Sequence, residues 1–224
     1  MSRIRVRPAH GVVVAALVLL LTGCGGRPPV APTATGCAPV EIAFARGTSQ
    51  PPGLGRIGDA FARAVVAAMP PGTVRARGVE YPAAGDQDVG SGVVDVVEHT
   101  RAVVAACPGT VFVLGGYSQG AVLISAALGL PAGDRSRGLP VLDAAVVART
   151  AAVVVFGNPL GSRGTTLETA PSAVRDRALD LCTTGDAICG RRGPLLGTHR
   201  SYDEGATDRA AAFAVGHLTS TPFR

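Results

Sequence analysis

Thr110-Val-Phe-Val-Leu-Gly-Gly-Tyr-Ser-Gln-Gly-Ala-Val-Leu-Ile-Ser-Ala-Ala-Leu128 decides the fold of this chain. Thr110 and the four apolar residues after it, mostly β-branched or aromatic, read as a buried strand. Gly115, Gly116 and Gly120 then make a sharp turn around Ser118, and an apolar helical pattern runs from Gln119 to Leu128. A G-x-S-x-G set between a strand and a helix is the nucleophile-elbow context. The positions two before and two after the serine must be small because the turn brings neighbouring backbone too close for a Cβ, and Gly116 and Gly120 meet that need. The helix that begins beside Gln119 also aims its positive end at any oxygen reacting there.

Working outward, further short apolar runs occur at Val40 to Ala45, Thr73 to Tyr81, Ala151 to Phe156 and, more weakly, Ala178 to Cys182. Each is bounded by Gly, Pro or polar residues, as buried parallel strands are. Helical patterns lie between them or after them at Ile57 to Met69, Val89 to Ala106 and Asp208 to His217. The alternation predicts an α/β fold: a three-layer α/β/α sandwich around a doubly wound parallel sheet of about five strands. Functional groups then belong on loops at the carboxyl ends of the strands. The chain has 224 residues and 47% hydrophobic content, which suits one domain with a real core.

Arg3, Arg5 and Arg7 precede an apolar run from Gly11 to Leu21, the charged-then-apolar layout of an export signal and too short to span a bilayer. The run ends in Leu21-Thr22-Gly23-Cys24, which resembles a bacterial lipobox. The expected organisation is a lipoprotein-type signal peptide over 1–23, a Pro/Gly-rich tether over 24–36 and a catalytic domain over 37–224. Cys24 would carry the lipid and hold the protein on the outer face of the cell membrane, since two acyl chains suffice for stable anchoring. The formal charge is +5, but setting aside the three leader arginines leaves 18 basic against 16 acidic residues. Without a basic stripe interleaved with aromatics, nucleic-acid binding is not supported. A monomer is expected.

Four further cysteines remain, Cys37, Cys107, Cys182 and Cys189, an even number in an oxidising compartment. They permit three connectivities. The short spacing of Cys182 and Cys189 favours their pairing with each other, leaving Cys37 with Cys107. No His lies at ligand spacing among them, so no metal is expected.

An elbow serine needs a base and an acid, and in this fold class they follow in the order Ser, Asp or Glu, His. His99 precedes Ser118 in a helical pattern and reads as an exposed or capping residue, and His217 falls in the terminal helix. His199 sits in a loop rich in Gly and Pro and is the expected base. Asp186, in Thr184-Gly-Asp-Ala-Ile-Cys189, is the expected acid, because the small disulfide loop can hold a carboxylate against the imidazole. Asp176 and Asp180 compete, but lie before or within the last strand and read as surface charges.

Together these residues resemble the cutinase family, with its actinobacterial cutinase-like members and the related acetylxylan esterases. The resemblance spans nearly all of Cys37 to Tyr202. It rests on Phe44-Ala-Arg-Gly-Thr48, Tyr81-Pro-Ala83, Cys107-Pro108, Gly115 to Gly120, Phe156-Gly-Asn-Pro159, Cys182 to Cys189, and His199 near Tyr202. It implies an α/β-hydrolase fold without a large lid and a Ser118, Asp186, His199 triad. It also implies an oxyanion hole from the backbone N–H groups of Thr48 and Gln119 with the Thr48 hydroxyl, and the disulfides Cys37–Cys107 and Cys182–Cys189. Asn158 departs from the pattern, where the family often has Asp, and is expected to affect loop hydrogen bonding. The implied activity is hydrolysis of short to medium acyl esters or lipids, without metal or cofactor. The competing readings are an envelope acyltransferase on the same scaffold and a non-catalytic surface protein. The walls of the acyl pocket are expected from Ala83 to Gly90 and Gly190 to Thr198.

Overall fold

The computed structural model describes residues 36–169, 173–190, 196–202 and 204–220. The leader, Cys24 and the tether up to residue 35 lie outside the described residues. Five parallel strands form one sheet: β1 (Val40–Ala45), β2 (Val74–Gly78), β3 (Val111–Tyr117), β4 (Thr150–Phe156) and β5 (Ala178–Leu181), in the order β2-β1-β3-β4-β5. The expected fold class therefore holds. The three inner strands are buried along their whole length, which is why they read as continuous apolar runs. The edge strand β2 is only half-buried and carries Arg75 and Arg77.

The pleat sorts side chains to two faces. Ile42, Phe44, Val113, Val154 and Phe156 face α1 (Gly55–Ala68) and α6 (Glu204–Ser220). Ala43, Phe112, Leu114, Val153 and Val155 face α2 (Gly90–Ala106), α3 (Gln119–Ala127) and α4 (Ala144–Ala148). The winding reverses between β1 and β3, and a crevice opens at such a switch point beyond the carboxyl ends of the strands. Thr48 follows β1 and Ser118 follows β3, so both candidates stand at that crevice.

The structure departs from the sequence reading in three places. His199 does not lie in open loop but closes a short helical turn, α5 (Leu196–His199). His99 is not simply an exposed helix residue: its Nε2 pairs with the carboxylate of Glu41, which β1 buries under α2. Asp180 is not a surface charge. It accepts hydrogen bonds from Asn158 Nδ2 (2.8 Å) and the Leu167 N–H (3.4 Å), and burial pushes its carboxyl up to about 6.

Two disulfides close the domain. Cys37–Cys107 ties the start of β1 to the end of α2, and Cys182–Cys189 closes the loop after β5.

Candidate active site

The turn after β3 is as tight as its glycines suggest. A Cβ on Gly116 would collide with the carbonyl of Gly120, and one on Gly120 with the carbonyl of Ala45. Ser118 sits at φ 56°, in the left-handed region that a residue with a side chain adopts at a cost of order 1–3 kcal/mol. Its N–H donates to the Phe156 carbonyl at 2.9 Å, which fixes the turn to β4. The strain is thus held by backbone packing on both sides, and it lifts the Ser118 hydroxyl clear of the sheet.

Three expected residues meet there. His199 Nε2 lies 2.8 Å from Ser118 Oγ, and His199 Nδ1 lies 2.8 Å from Asp186 Oδ2. Asp186 is 1% exposed, and its other oxygen accepts the Ile188 N–H at 2.8 Å. Burial alone would raise its pKa. Donors from His199, Tyr202 and Ile188 outweigh that, so the carboxyl is held below its ordinary value and stays ionised. An ionised acceptor at Nδ1 places that ring proton on the Asp186 side and leaves Nε2 as the acceptor for the serine proton.

Two tyrosines hold this line. Tyr202 donates its hydroxyl to Asp186 Oδ2 at 2.7 Å and accepts the Thr183 N–H at 3.3 Å. Burial and then the Asp186 bond raise its pKa, so it remains a donor. Tyr117 stacks on the His199 ring at 5.1 Å and donates to the His199 carbonyl at 2.7 Å. Arg56 adds bonds to the carbonyls of Arg200 (2.5 Å) and Tyr202 (3.3 Å), tying the histidine segment to α1. Gly157 completes the fit, since a Cβ there would come within 2.6 Å of His199 Cε1.

Gln119 directly follows the serine, and Thr48 follows the carboxyl end of β1, the strand paired with β3. Among the described residues, no hydrogen bond takes up either backbone N–H. The Thr48 hydroxyl oxygen accepts from Gln87 Nε2 at 3.0 Å, which frees the hydroxyl proton to point elsewhere. The Gln119 side chain is fully buried and its amide donates to the Ala84 carbonyl at 3.2 Å, tying the turn to the 84–88 segment. The Arg46 guanidinium, also buried, bonds the carbonyls of Gln50 (2.9 Å), Val79 (3.2 Å) and Tyr81, and lies 4.8 Å from the Tyr81 ring. It fixes the Thr48 loop to the segment after β2.

A groove of about 600 Å³ opens beside Gln119, with Val89, Val122, Pro159 and Leu160 among its apolar walls and Asp86, Asp134 and Arg163 at polar positions. Its volume falls in the range of ordinary ligand sites. The first expected wall segment contributes Asp86, Gln87 and Val89. Residues 191–195 of the second lie outside the described residues, and the structure adds walls from 132–134 and 159–163 that the sequence reading did not name. It also missed the bonds made by Gln87, Tyr117 and Tyr202, although all three stood within segments it had named. Cys182, Asp186 and Cys189 converge closely, but the two sulfurs are joined to each other and offer no thiolate. Among the described residues, no helix is long and apolar enough to cross a membrane.

Residues 36–218 match the family model for cutinase. The chain is 45% identical over 184 residues to a cutinase of Kineococcus radiotolerans, an alignment covering 80% of this chain and 62% of that protein's length. It is 39% identical over 213 residues to a probable carboxylesterase, Culp3, of Mycobacterium tuberculosis, covering 93% of this chain and 79% of the other. The solved structure of a Trichoderma reesei cutinase in complex with a phosphonate inhibitor superposes with a TM-score of 0.63 at 31% identity, covering 81% of this chain and 77% of that one.

Proposed function

This chain belongs to the cutinase family, a family of ester hydrolases, and from that premise we propose that it is a serine carboxylic-ester hydrolase using Ser118, His199 and Asp186. The observation that carries the reading is the unbroken line from Ser118 Oγ through both nitrogens of His199 to Asp186 Oδ2, at 2.8 Å for each contact. His199 Nε2 takes the serine proton as Oγ attacks the ester carbonyl. Asp186 stabilises the imidazolium that forms. The negative charge on the carbonyl oxygen is met by the N–H groups of Thr48 and Gln119 and the Thr48 hydroxyl. His199 returns the proton to the leaving alcohol, an acyl-enzyme remains on Ser118, and water activated by the same imidazole releases the acid.

The substrates are short to medium acyl esters or lipids, with the acyl chain in the groove beside Gln119. The groove's apolar walls support this. Steady-state rates on p-nitrophenyl esters of increasing acyl length test it, together with fluorophosphonate labelling of the parent and of Ser118→Ala. No turnover and no labelling of the parent would end the reading.

Export and anchoring belong to the same proposal: cleavage before Cys24, a diacylglyceryl group on its sulfur, a tether over 24–36, and a monomeric catalytic domain at the outer membrane face. The support is the leader pattern and the odd cysteine. Mass spectrometry of the native protein should find the modified Cys24 as the N-terminus, whereas an unmodified terminus downstream would overturn the anchor.

A further inference from the structure

Asp180 lies in β5 and plays no part in the ester chemistry, yet its carboxylate is committed. Oδ2 accepts from the Asn158 side-chain amide at 2.8 Å and from the Leu167 N–H at 3.4 Å. One oxygen therefore joins the two ends of the loop 158–167. Inside that loop, Asn158 Oδ1 caps the short helical turn Pro159–Arg163 by accepting the Leu160 N–H at 3.1 Å. Pro159, Leu160 and Arg163 face the groove. The far end is pinned by buried Leu167 and by Glu168, whose Oε1 accepts the Asp180 N–H at 2.7 Å.

The foot of the same loop touches the catalytic base. Gly157 donates to the Leu181 carbonyl at 2.8 Å and packs so closely on His199 that no side chain fits between them. Gly161 rests on the Cys189 carbonyl, where a Cβ would stand at 2.7 Å. The loop thus has fixed feet and a crest that forms one wall of the groove. Asn158 is fully buried and uses both ends of its amide, donating to Asp180 and accepting from Leu160. An Asp at 158 would keep the acceptor but turn a second carboxylate toward the first. The two donors offset only part of the desolvation cost of the Asp180 carboxylate, so the loop is held at the expense of a raised carboxyl.

We propose that Asp180, acting through Asn158, is a positioning residue for substrate length: it fixes the 158–167 loop so that Pro159, Leu160 and Arg163 form a rigid acyl-side wall. This rests on the esterase reading and names a determinant of its specificity. Without the clamp the wall loosens, which weakens binding of acyl chains long enough to lie along it. Acetyl esters, which end near Ser118, feel the change less.

The test compares acetate and decanoate p-nitrophenyl esters in the parent, Asp180→Ala, Asp180→Asn and Asn158→Asp, with hydrogen–deuterium exchange of a peptide spanning 158–167. In Asp180→Ala the decanoate-to-acetate ratio of kcat/KM should fall about tenfold, through KM, as expected for loss of a charge-assisted bond. Exchange in the loop should quicken. Asp180→Asn keeps an acceptor oxygen and should restore both readouts to within about twofold of the parent. Asn158→Asp at pH 8 should behave as Asp180→Ala does, and it decides the matter if Asp180→Ala fails to fold. An unchanged ratio, an equal loss of kcat on both esters, or an equal defect in Asp180→Asn would overturn the proposal. Were no ester turned over by the parent, the esterase reading would fail by itself, and unchanged loop exchange in Asp180→Ala would still refute the clamp.

Discussion

The Tyr202 hydroxyl and the His199 ring share one acceptor: both reach Oδ2 of Asp186, at 2.7 Å and 2.8 Å. An oxygen carrying two donors is fixed in direction, and its lone pairs are spread over both. Tyr202→Phe therefore leaves the acid with one donor fewer and the Thr183 N–H without its acceptor. We expect kcat to fall about tenfold with KM within about twofold, the loss of a hydrogen bond to a charged group being about 1.5–3 kcal/mol and only partly expressed in the rate. Fewer donors to the ionised form also raise the Asp186 carboxyl, so the acid limb of the activity profile moves to higher pH. An unmoved limb with parental kcat would assign Tyr202 to packing alone.

In the proposed oxyanion hole, Thr48→Ala removes one donor of about three while Ser118 can still attack. Loss of one preorganised donor lowers turnover by about 100- to 1000-fold, and Thr48→Ser should stay near the parent. Gln87→Ala leaves the Thr48 hydroxyl present but unoriented, so its loss should be smaller, about tenfold. Steady-state kinetics on one soluble ester, with circular dichroism to check folding, gives the order. Near-parental turnover in Thr48→Ala would remove its hydroxyl from the oxyanion hole.

Asp180 also has a consequence for stability. Its folded carboxyl, at about 6, lies above the unfolded value of roughly 4, so the folded state binds its proton more tightly. The stabilisation is present in full below the unfolded value and is lost as pH rises through about 6. Urea unfolding of the parent should lose on the order of 2 kcal/mol between pH 4 and 7 relative to Asp180→Asn. Because Asp186 shifts the opposite way in both proteins, only the difference between them isolates this group. Parallel stability curves would show that Asp180 titrates alike in the folded and unfolded chain.

The two disulfides should separate stability from rate. With sequence separations of 70 and 7, loop-closure entropy assigns about 4.4 kcal/mol to Cys37–Cys107 and about 2.4 kcal/mol to Cys182–Cys189. The double variant Cys182→Ser with Cys189→Ser should lose less stability and more activity, because its loop carries Asp186. Full turnover in that variant would refute a positioning role for the small loop.

What the sequence disclosed was chiefly local. The glycines around Ser118 announce the turn because the constraint lies within five residues, and β1, β3 and β4 announce themselves because both of their faces are buried. The order and spacing of Ser118, Asp186 and His199 placed all three on the crevice. Asp180 was misread for the opposite reason. Ala178-Leu-Asp-Leu181 alternates like an edge strand with its charge in water, and nothing nearby reveals that a loop from β4 folds over it. His99 and Glu41 stand 58 residues apart, and Gln87 and Thr48 stand 39 apart, so neither pair leaves a local pattern. α6 runs beyond the expected Asp208 to His217 at both ends, since backbone hydrogen bonding continues where apolar periodicity stops.

The groove walls and the reacting side chains occupy different stretches of chain. Residues 86–89, 132–134 and 159–163 shape the groove, while the reaction is assigned to Ser118, Asp186 and His199, and among the described residues Gln119 and Gln87, the partner of Thr48, stand in both neighbourhoods. Natural variation in those three short stretches can therefore retarget the enzyme without rebuilding its chemistry. Libraries confined to them, with Gln87 and Gly161 kept, should explore new esters at little risk to the parts that cleave.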